Sequence, residues 1–113
     1  MQLLSLLDSL DRQIQDAKPI PLTDQIRLDK APMYAILDEM REGVPETAML
    51  ADRLGYSKEG LGRTLPLIDE VDDMIHNGKP VPLTSQVRVS RPRLEEIISQ
   101  MRANLTADRE AGN

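Results

Sequence analysis

The spacing of the hydrophobic residues changes twice near the start of the chain. Over residues 3–17 apolar side chains recur every three or four positions, which predicts an amphipathic helix. Polar and apolar residues then alternate over residues 25–28, as expected for a short half-buried strand. Helical spacing returns over residues 33–44, with Asp29 as the predicted N-cap. The pattern therefore predicts a helix, a strand and a second helix, in that order.

The second half of the chain repeats this pattern. Residues 18–30 read KPIPLTDQIRLDK and residues 79–91 read KPVPLTSQVRVSR, and the offset of 61 positions holds without a gap. The prolines in each stretch remove backbone donors and restrict the residues before them, so each first helix must end there. We therefore predict two helix-strand-helix repeats, at residues 3–44 and 64–105, with N-caps at equivalent positions.

Each repeat offers only one short strand, and an isolated four-residue strand is not stable in water. The simplest arrangement pairs residues 25–28 with residues 86–89, antiparallel and about a pseudo-twofold axis. The predicted fold is α+β and mostly helical: two tandem helix-strand-helix units related by a pseudo-twofold, with a two-stranded antiparallel ribbon packed on helices. Pairing of the same strands between chains, which would give a homo-oligomer, stays open as an alternative.

The length of 113 residues predicts a single domain over residues 1–113. Residues 45–63 form the connecting segment between the repeats, with a short helix expected within residues 47–54. The glycines and the proline that follow predict irregular or weakly helical structure up to the second repeat. Residues 106–113 are expected to form a polar, frayed tail.

Composition and charge narrow the classes of function. The net charge is −5 and no run of basic residues is present, which disfavours a nucleic-acid partner. The chain contains no Cys, so we expect neither a disulfide framework nor a thiolate metal site, and a cytoplasmic location fits. No stretch reaches the roughly 18 apolar residues of a membrane span, and the N-terminus lacks the pattern of a signal peptide. We therefore expect no membrane insertion.

No set of residues predicts catalysis or ligand binding. The sole histidine, His76, corresponds to Gln15 in the first repeat, so the repeats share no histidine site. The acidic residues within 69–73 lack the spacing and the glycine of a calcium-binding loop. We therefore expect no enzymatic activity, no metal and no cofactor.

A second hypothesis concerns residues 47–65, whose order of residues resembles a helix-turn-helix. On this alternative the chain is a small DNA-binding regulator. The glycines in the would-be recognition helix and the acidic net charge count against it.

Four polar residues of the predicted strands form the candidate site: Gln25, Arg27, Gln86 and Arg88. If the apolar residues between them face the helices, these four side chains point outward on an uncovered face of the sheet. Solvent exposure with cross-strand hydrogen bonds would explain them equally well. The functional interpretation is a partner-binding face, because arginine is well suited to carboxylates.

The pattern KxxPLTxxVxVxRxxLxxIIxxMR, led by an acidic LLDxL helix, resembles the N-terminal module of short bacterial coiled-coil proteins labelled ATP-synthase-subunit-like or DivIVA-like cell-division proteins. The resemblance covers residues 3–44 and 64–105, in two tandem copies. It implies a cytoplasmic scaffold or adaptor at the division site or the growing cell envelope. The expected function is thus a non-enzymatic protein-protein interaction or scaffold module whose partner is another protein.

Overall fold

The computed structural model describes the backbone of residues 3–111 and the side chains of residues 3–106. The chain is α+β and mostly helical, as predicted. In chain order the elements are α1 (Leu3–Asp16), β1 (Lys18–Pro19), β2 (Gln25–Asp29), α2 (Lys30–Met49), α3 (Ala51–Leu54), α4 (Lys58–Asn77), β3 (Lys79–Pro80), β4 (Gln86–Ser90) and α5 (Arg91–Ala111).

The sheet is antiparallel and has the strand order β1-β2-β4-β3. The predicted pairing of the two strands is confirmed, and Arg27 lies directly opposite Arg88 at the centre of the β2-β4 pair. The sheet is wider than the predicted two-stranded ribbon because β1 and β3 each add two residues at its edges. A twofold axis between Arg27 and Arg88 would produce this register, and the pseudo-twofold symmetry itself stays a prediction.

The extra strands form because the PLT sequence of each repeat makes a tight turn. The Thr23 N–H donates to the Ile20 carbonyl at 3.2 Å, and Leu22 has a φ of 65°. Proline in the second position and a positive φ in the third define a type II turn. Leu83 has a φ of 63° in the equivalent turn of the second repeat. Each first helix is therefore followed by a β-hairpin.

One face of the sheet packs on the helices and forms the core. Alternate residues of β2 and β4 are buried, and they join the aliphatic side chains of the helices in one continuous cluster. The sheet contributes Ile26, Leu28, Val87 and Val89, which are between 0% and 4% exposed. Helix α1 contacts α2 and α5, and α4 contacts the same two helices, so each repeat packs against the other.

The connecting segment is more helical than predicted at its start. Helix α2 continues through Pro45 to Met49, and the separate helix α3 is a single turn. Gly55 ends α3 in the left-handed conformation with a φ of 78°, where glycine carries no steric penalty. The predicted short helix within residues 47–54 is therefore split between the end of α2 and α3.

Of the two alternatives predicted after residue 54, irregular or weakly helical structure, the irregular one is wrong for α4, which is helical through Gly60, Gly62 and Pro66. Ser57 caps this helix by accepting a hydrogen bond from the Gly60 N–H at 3.1 Å. A side chain at Gly60 would place its Cβ 2.3 Å from the Asn104 carbonyl oxygen of α5. The glycine therefore allows two helices to pack closely, and this packing outweighs its low helix propensity.

The first residue of α2 and the first residue of α5 each donate a backbone hydrogen bond to the hairpin of the other repeat. Asp29, the predicted N-cap of α2, makes no side-chain capping bond, and the Lys30 N–H donates to the Ser85 carbonyl at 3.3 Å. Ser90 does cap α5, because its Oγ accepts from the Arg93 N–H at 3.4 Å. Helix α5 continues to Ala111, so the predicted frayed tail is helical up to that residue, and residues 112 and 113 lie outside the described part of the chain.

Candidate partner-binding face

The four predicted site residues, Gln25, Arg27, Gln86 and Arg88, all lie on the face of the sheet opposite the core. Each is half-buried and alternates with a buried neighbour. Because successive residues of a strand point to opposite faces, these side chains share the side that the helices leave uncovered. We call this surface the outer sheet face. The structure therefore brings the predicted residues together.

A row of four cationic residues crosses the outer sheet face. Lys18 pairs with Arg27, Arg27 with Arg88, and Arg88 with Lys79, so each strand contributes one member. Directly opposed residues of antiparallel strands have their side chains on the same face. With strands about 4.8 Å apart, the row spans roughly 15 Å. We call these residues the cation row.

No member of the cation row forms an ion pair with a carboxylate among the described side chains. Like charges directly opposite each other destabilise a sheet, so the row has an energetic cost. The Arg88 Nε is also buried without a hydrogen-bond partner within residues 3–106. A bound acceptor would satisfy this nitrogen and offset the repulsion.

Arginines elsewhere in the chain contrast with this row. Arg41 on α2 donates hydrogen bonds to the carboxylates of Asp69 and Asp72 on α4 at 2.9 and 3.0 Å, and these bonds raise the pKa of Arg41. Arg93 pairs with Glu70, and this contact raises the pKa of the Arg93 guanidinium in the same way. These arginines thus form ion pairs with carboxylates, whereas the members of the cation row form none among the described side chains.

Two open grooves are bordered by members of the cation row. The first, of about 280 Å³, is bordered by residues of both charges, including Lys18 and Arg27 beside Asp16 and Asp29. The second, of about 170 Å³, has no carboxylate on its border. Its residues are Ile20, Arg27, Pro80, Val81, Pro82 and Arg88. We call the second one the arginine groove.

Two fully exposed leucines stand at the turns beyond the ends of the sheet. Leu22 and Leu83 are each 106% exposed and adopt a positive φ, which is strained for leucine. Because β2 and β4 are antiparallel, their two hairpin turns lie at opposite ends of the sheet. The sequence gives no sign of this placement, since leucine is not a typical residue for a left-handed position.

The edges of the sheet are poorly suited to binding another strand. Pro19 and Pro80 occupy the two edge strands, where they cannot donate a backbone hydrogen bond. Each edge strand is only two residues long, which further limits strand addition. A partner of this sheet is therefore better accommodated on its outer face than at its edges.

The other candidates from the sequence do not gather into a site. In the helix-turn-helix segment, Gly60, Leu61 and Thr64 of α4 are buried rather than displayed. His76 is exposed in the last turn of α4. Within the described residues, no group of three or more His, Asp or Glu side chains is placed to hold a metal ion.

Comparisons with protein-family models, with curated proteins and with solved structures found no match to this chain. Across the part of the chain that the structure describes, no helix combines the length and the apolar character needed to cross a membrane.

Proposed function

We propose that this chain is a non-enzymatic protein-protein interaction module, which binds its partner through the outer sheet face. The observation that carries the proposal is the cation row, whose members are aligned across all four strands without a carboxylate partner among the described residues. A sheet that served only as structural support would be more stable with neutral or oppositely charged residues at these positions. The unfavourable arrangement is explained if a partner supplies the missing negative charge.

Several features support a protein as the partner. Arginine is enriched at protein interfaces, where its planar guanidinium binds carboxylates through two hydrogen bonds. The two grooves beside the cation row are open to solvent, unlike the enclosed pockets that bind small molecules. The overall charge of −5 opposes binding to a phosphate backbone over a wide surface. The sheet therefore favours a localised contact with acidic protein residues.

The resemblance described above supplies the setting for this proposal. A cytoplasmic scaffold or adaptor in bacterial cell division or envelope growth would use such a face to recruit a second protein. The two repeats would then act together in one chain, since both contribute to the cation row. The proposal for the binding face is independent of this setting.

The test is an affinity capture from the native cell with a matched pair of double variants. The double variant Arg27→Glu with Arg88→Glu reverses the charge of the two central residues of the cation row. Arg12→Glu with Arg53→Glu makes the same change in net charge at exposed residues that have no ion pair among the described side chains. Circular dichroism would first establish that both variants fold. A protein retained by the control variant and lost by the other would then be purified for titration.

We expect the reversal of Arg27 and Arg88 to weaken binding of the purified partner by at least roughly tenfold, as for interface arginines that contact carboxylates. Equal binding by the two double variants would reject the outer sheet face as the interface. Salt-dependent binding of the unmodified protein to random duplex DNA would instead favour the DNA-binding regulator.

A further inference from the structure

We infer that the arginine groove binds a short acidic segment of the partner, with one carboxylate held between Arg27 and Arg88. This inference rests on the proposed function and specifies the chemistry of its partner. Both arginines border the groove, and they are directly opposed on β2 and β4. A carboxylate placed between them would receive hydrogen bonds from two guanidinium groups, a strong and geometrically specific contact.

The residues that border the two grooves favour the arginine groove over the first one. Beside Lys18 and Arg27, the first groove carries Asp16 and Asp29. The residues 61 positions later are Asn77 and Ser90, so the second repeat has neutral side chains at both equivalent positions. A carboxylate entering the first groove would meet negative charge, whereas the arginine groove offers positive charge alone. The partner's acidic residue is therefore directed to the centre and the β3 side of the sheet.

The unsatisfied nitrogen of Arg88 is a second observation that favours a carboxylate between Arg27 and Arg88. The Arg88 Nε is buried and has no acceptor within residues 3–106. A neutral partner group could supply an acceptor, but only an anion would also reduce the repulsion between Arg88 and the neighbouring cations Arg27 and Lys79. The position therefore favours a carboxylate over an amide or a hydroxyl.

The remaining border of the arginine groove is apolar and rigid. Pro80 and Pro82 are restricted in their backbone, and Ile20 and Val81 contribute aliphatic surface. Such a border is suited to the aliphatic side chain of a residue next to the carboxylate. The occupant is thus a peptide segment in which acidic and aliphatic residues alternate.

Nucleic acid is a poorer fit to this surface. A polyanion would extend beyond the arginine groove toward the first groove, which shares Arg27 with it and carries Asp16 and Asp29. Repulsion from these carboxylates would grow with each additional phosphate. A short segment with one or two carboxylates avoids this repulsion.

The experiment is a fluorescence-anisotropy titration of the full chain into labelled peptides. The probe is an ELELE peptide with an uncharged fluorophore at its N-terminus and an amidated C-terminus. The matched probe is QLQLQ prepared in the same way, which has nearly the same shape without the charge. We expect saturable binding of ELELE at low ionic strength that weakens with added salt, and no saturable binding of QLQLQ.

Four single variants locate the binding position. Arg88→Gln and Arg27→Gln should each weaken ELELE binding roughly tenfold, a typical loss for a charge-assisted contact. Arg53→Gln removes the same charge at a distant exposed position and should leave the affinity within about twofold. Asp29→Ser copies the second repeat into the first and should strengthen binding, because it removes a carboxylate from the outer sheet face.

Two results would overturn the inference: equal affinity for ELELE and QLQLQ, or an effect of Arg53→Gln as large as that of Arg88→Gln. Tighter binding of a short DNA duplex than of ELELE, with the same dependence on Arg88, would replace it with a nucleic-acid site. If a cellular partner requires Arg27 and Arg88 but ELELE does not bind, the proposed function stands and the inference of an acidic segment is rejected. If ELELE binds but no cellular partner requires Arg27 and Arg88, the arginine groove is an acidic-peptide site and the proposed function is rejected.

Discussion

The Arg41 guanidinium lies 2.9 Å from the Asp69 carboxylate, so that α2 of the first repeat is joined to α4 of the second. Asp72 contacts the same guanidinium at 3.0 Å and is the least exposed of its carboxylate partners, at 31%. Arg102 and Asp8, which stand 61 positions from Arg41 and Asp69 in the two directions, are also 2.9 Å apart. The two repeats are therefore joined by ion pairs between their helices as well as by the sheet.

Breaking the Arg41 contact should destabilise the protein modestly. The participating side chains are largely exposed, so we expect a coupling energy of about 0.5–1 kcal/mol between Arg41→Gln and Asp72→Asn. Urea unfolding of the two single variants and the double variant measures this quantity. The coupling should shrink at high salt because exposed charges are screened. A coupling that is zero at low salt would show that the contact contributes nothing to stability.

Gly60 and Gly62 should respond to alanine in opposite ways. Gly60→Ala would drive a Cβ to within 2.3 Å of the Asn104 carbonyl oxygen, so we expect a loss of about 2 kcal/mol or more as α4 and α5 separate. At Gly62 an added Cβ meets nothing within 4 Å, so Gly62→Ala should stabilise the helix by roughly 0.5–1 kcal/mol. Thermal unfolding followed by circular dichroism compares the two. Similar midpoints for both variants would contradict the close packing of α4 on α5.

Replacing Leu22 by glycine should stabilise the first hairpin. A left-handed non-glycine residue costs about 1–2 kcal/mol, part of which is offset by the greater freedom of glycine in the unfolded chain. We therefore expect a net gain of about 0.5 kcal/mol, measured by urea unfolding. Leu22→Ala is the matched control, because it removes the exposed side chain and keeps the backbone strain. A glycine variant less stable than the alanine variant would argue against strain at this turn.

Reversing one charge of the cation row should also raise stability. In Arg27→Glu the new carboxylate lies opposite both Lys18 and Arg88, so two repulsive pairs become attractive. We expect a gain of about 1 kcal/mol in the free energy of unfolding, decreasing with added salt. Arg53→Glu, which alters the net charge equally at an exposed site, should change stability by less than about 0.5 kcal/mol. Equal effects would mean that net charge, and not the row, determines the result.

The pairing of β2 with β4 could be predicted from the sequence because two physical requirements agree. Alternation buries Ile26 and Leu28 on one face, and an unpaired strand needs a neighbour that buries the matching face. The same alternation placed Arg27 and Arg88 outside the core. The centre of the candidate site therefore followed from local pattern alone.

The rest of the fold depends on features that local pattern does not reveal. A type II turn is usually indicated by glycine in its third position, and here that position holds Leu22. The hairpins, and the edge strands that contain Lys18 and Lys79, therefore could not be predicted from the turn sequence. The helical path of α4 through Gly60 depends on its contact with Asn104, which is 44 residues away in sequence. Contacts of this kind become visible only when the helices are placed against each other.

The backbone hydrogen bonds at the starts of α2 and α5 connect the two halves of the chain. The Lys30 N–H is bonded to the carbonyl of Ser85, and the Arg91 N–H to the carbonyl of Asp24, so each half supplies a backbone acceptor that the other half needs. A protease that cut the exposed segment around Arg53 would break the covalent link and leave these bonds, the β2-β4 ladder and the ion pairs of Arg41 and Arg102 in place. The two fragments would remain associated, because each half depends on the other for strand pairing and for these hydrogen bonds.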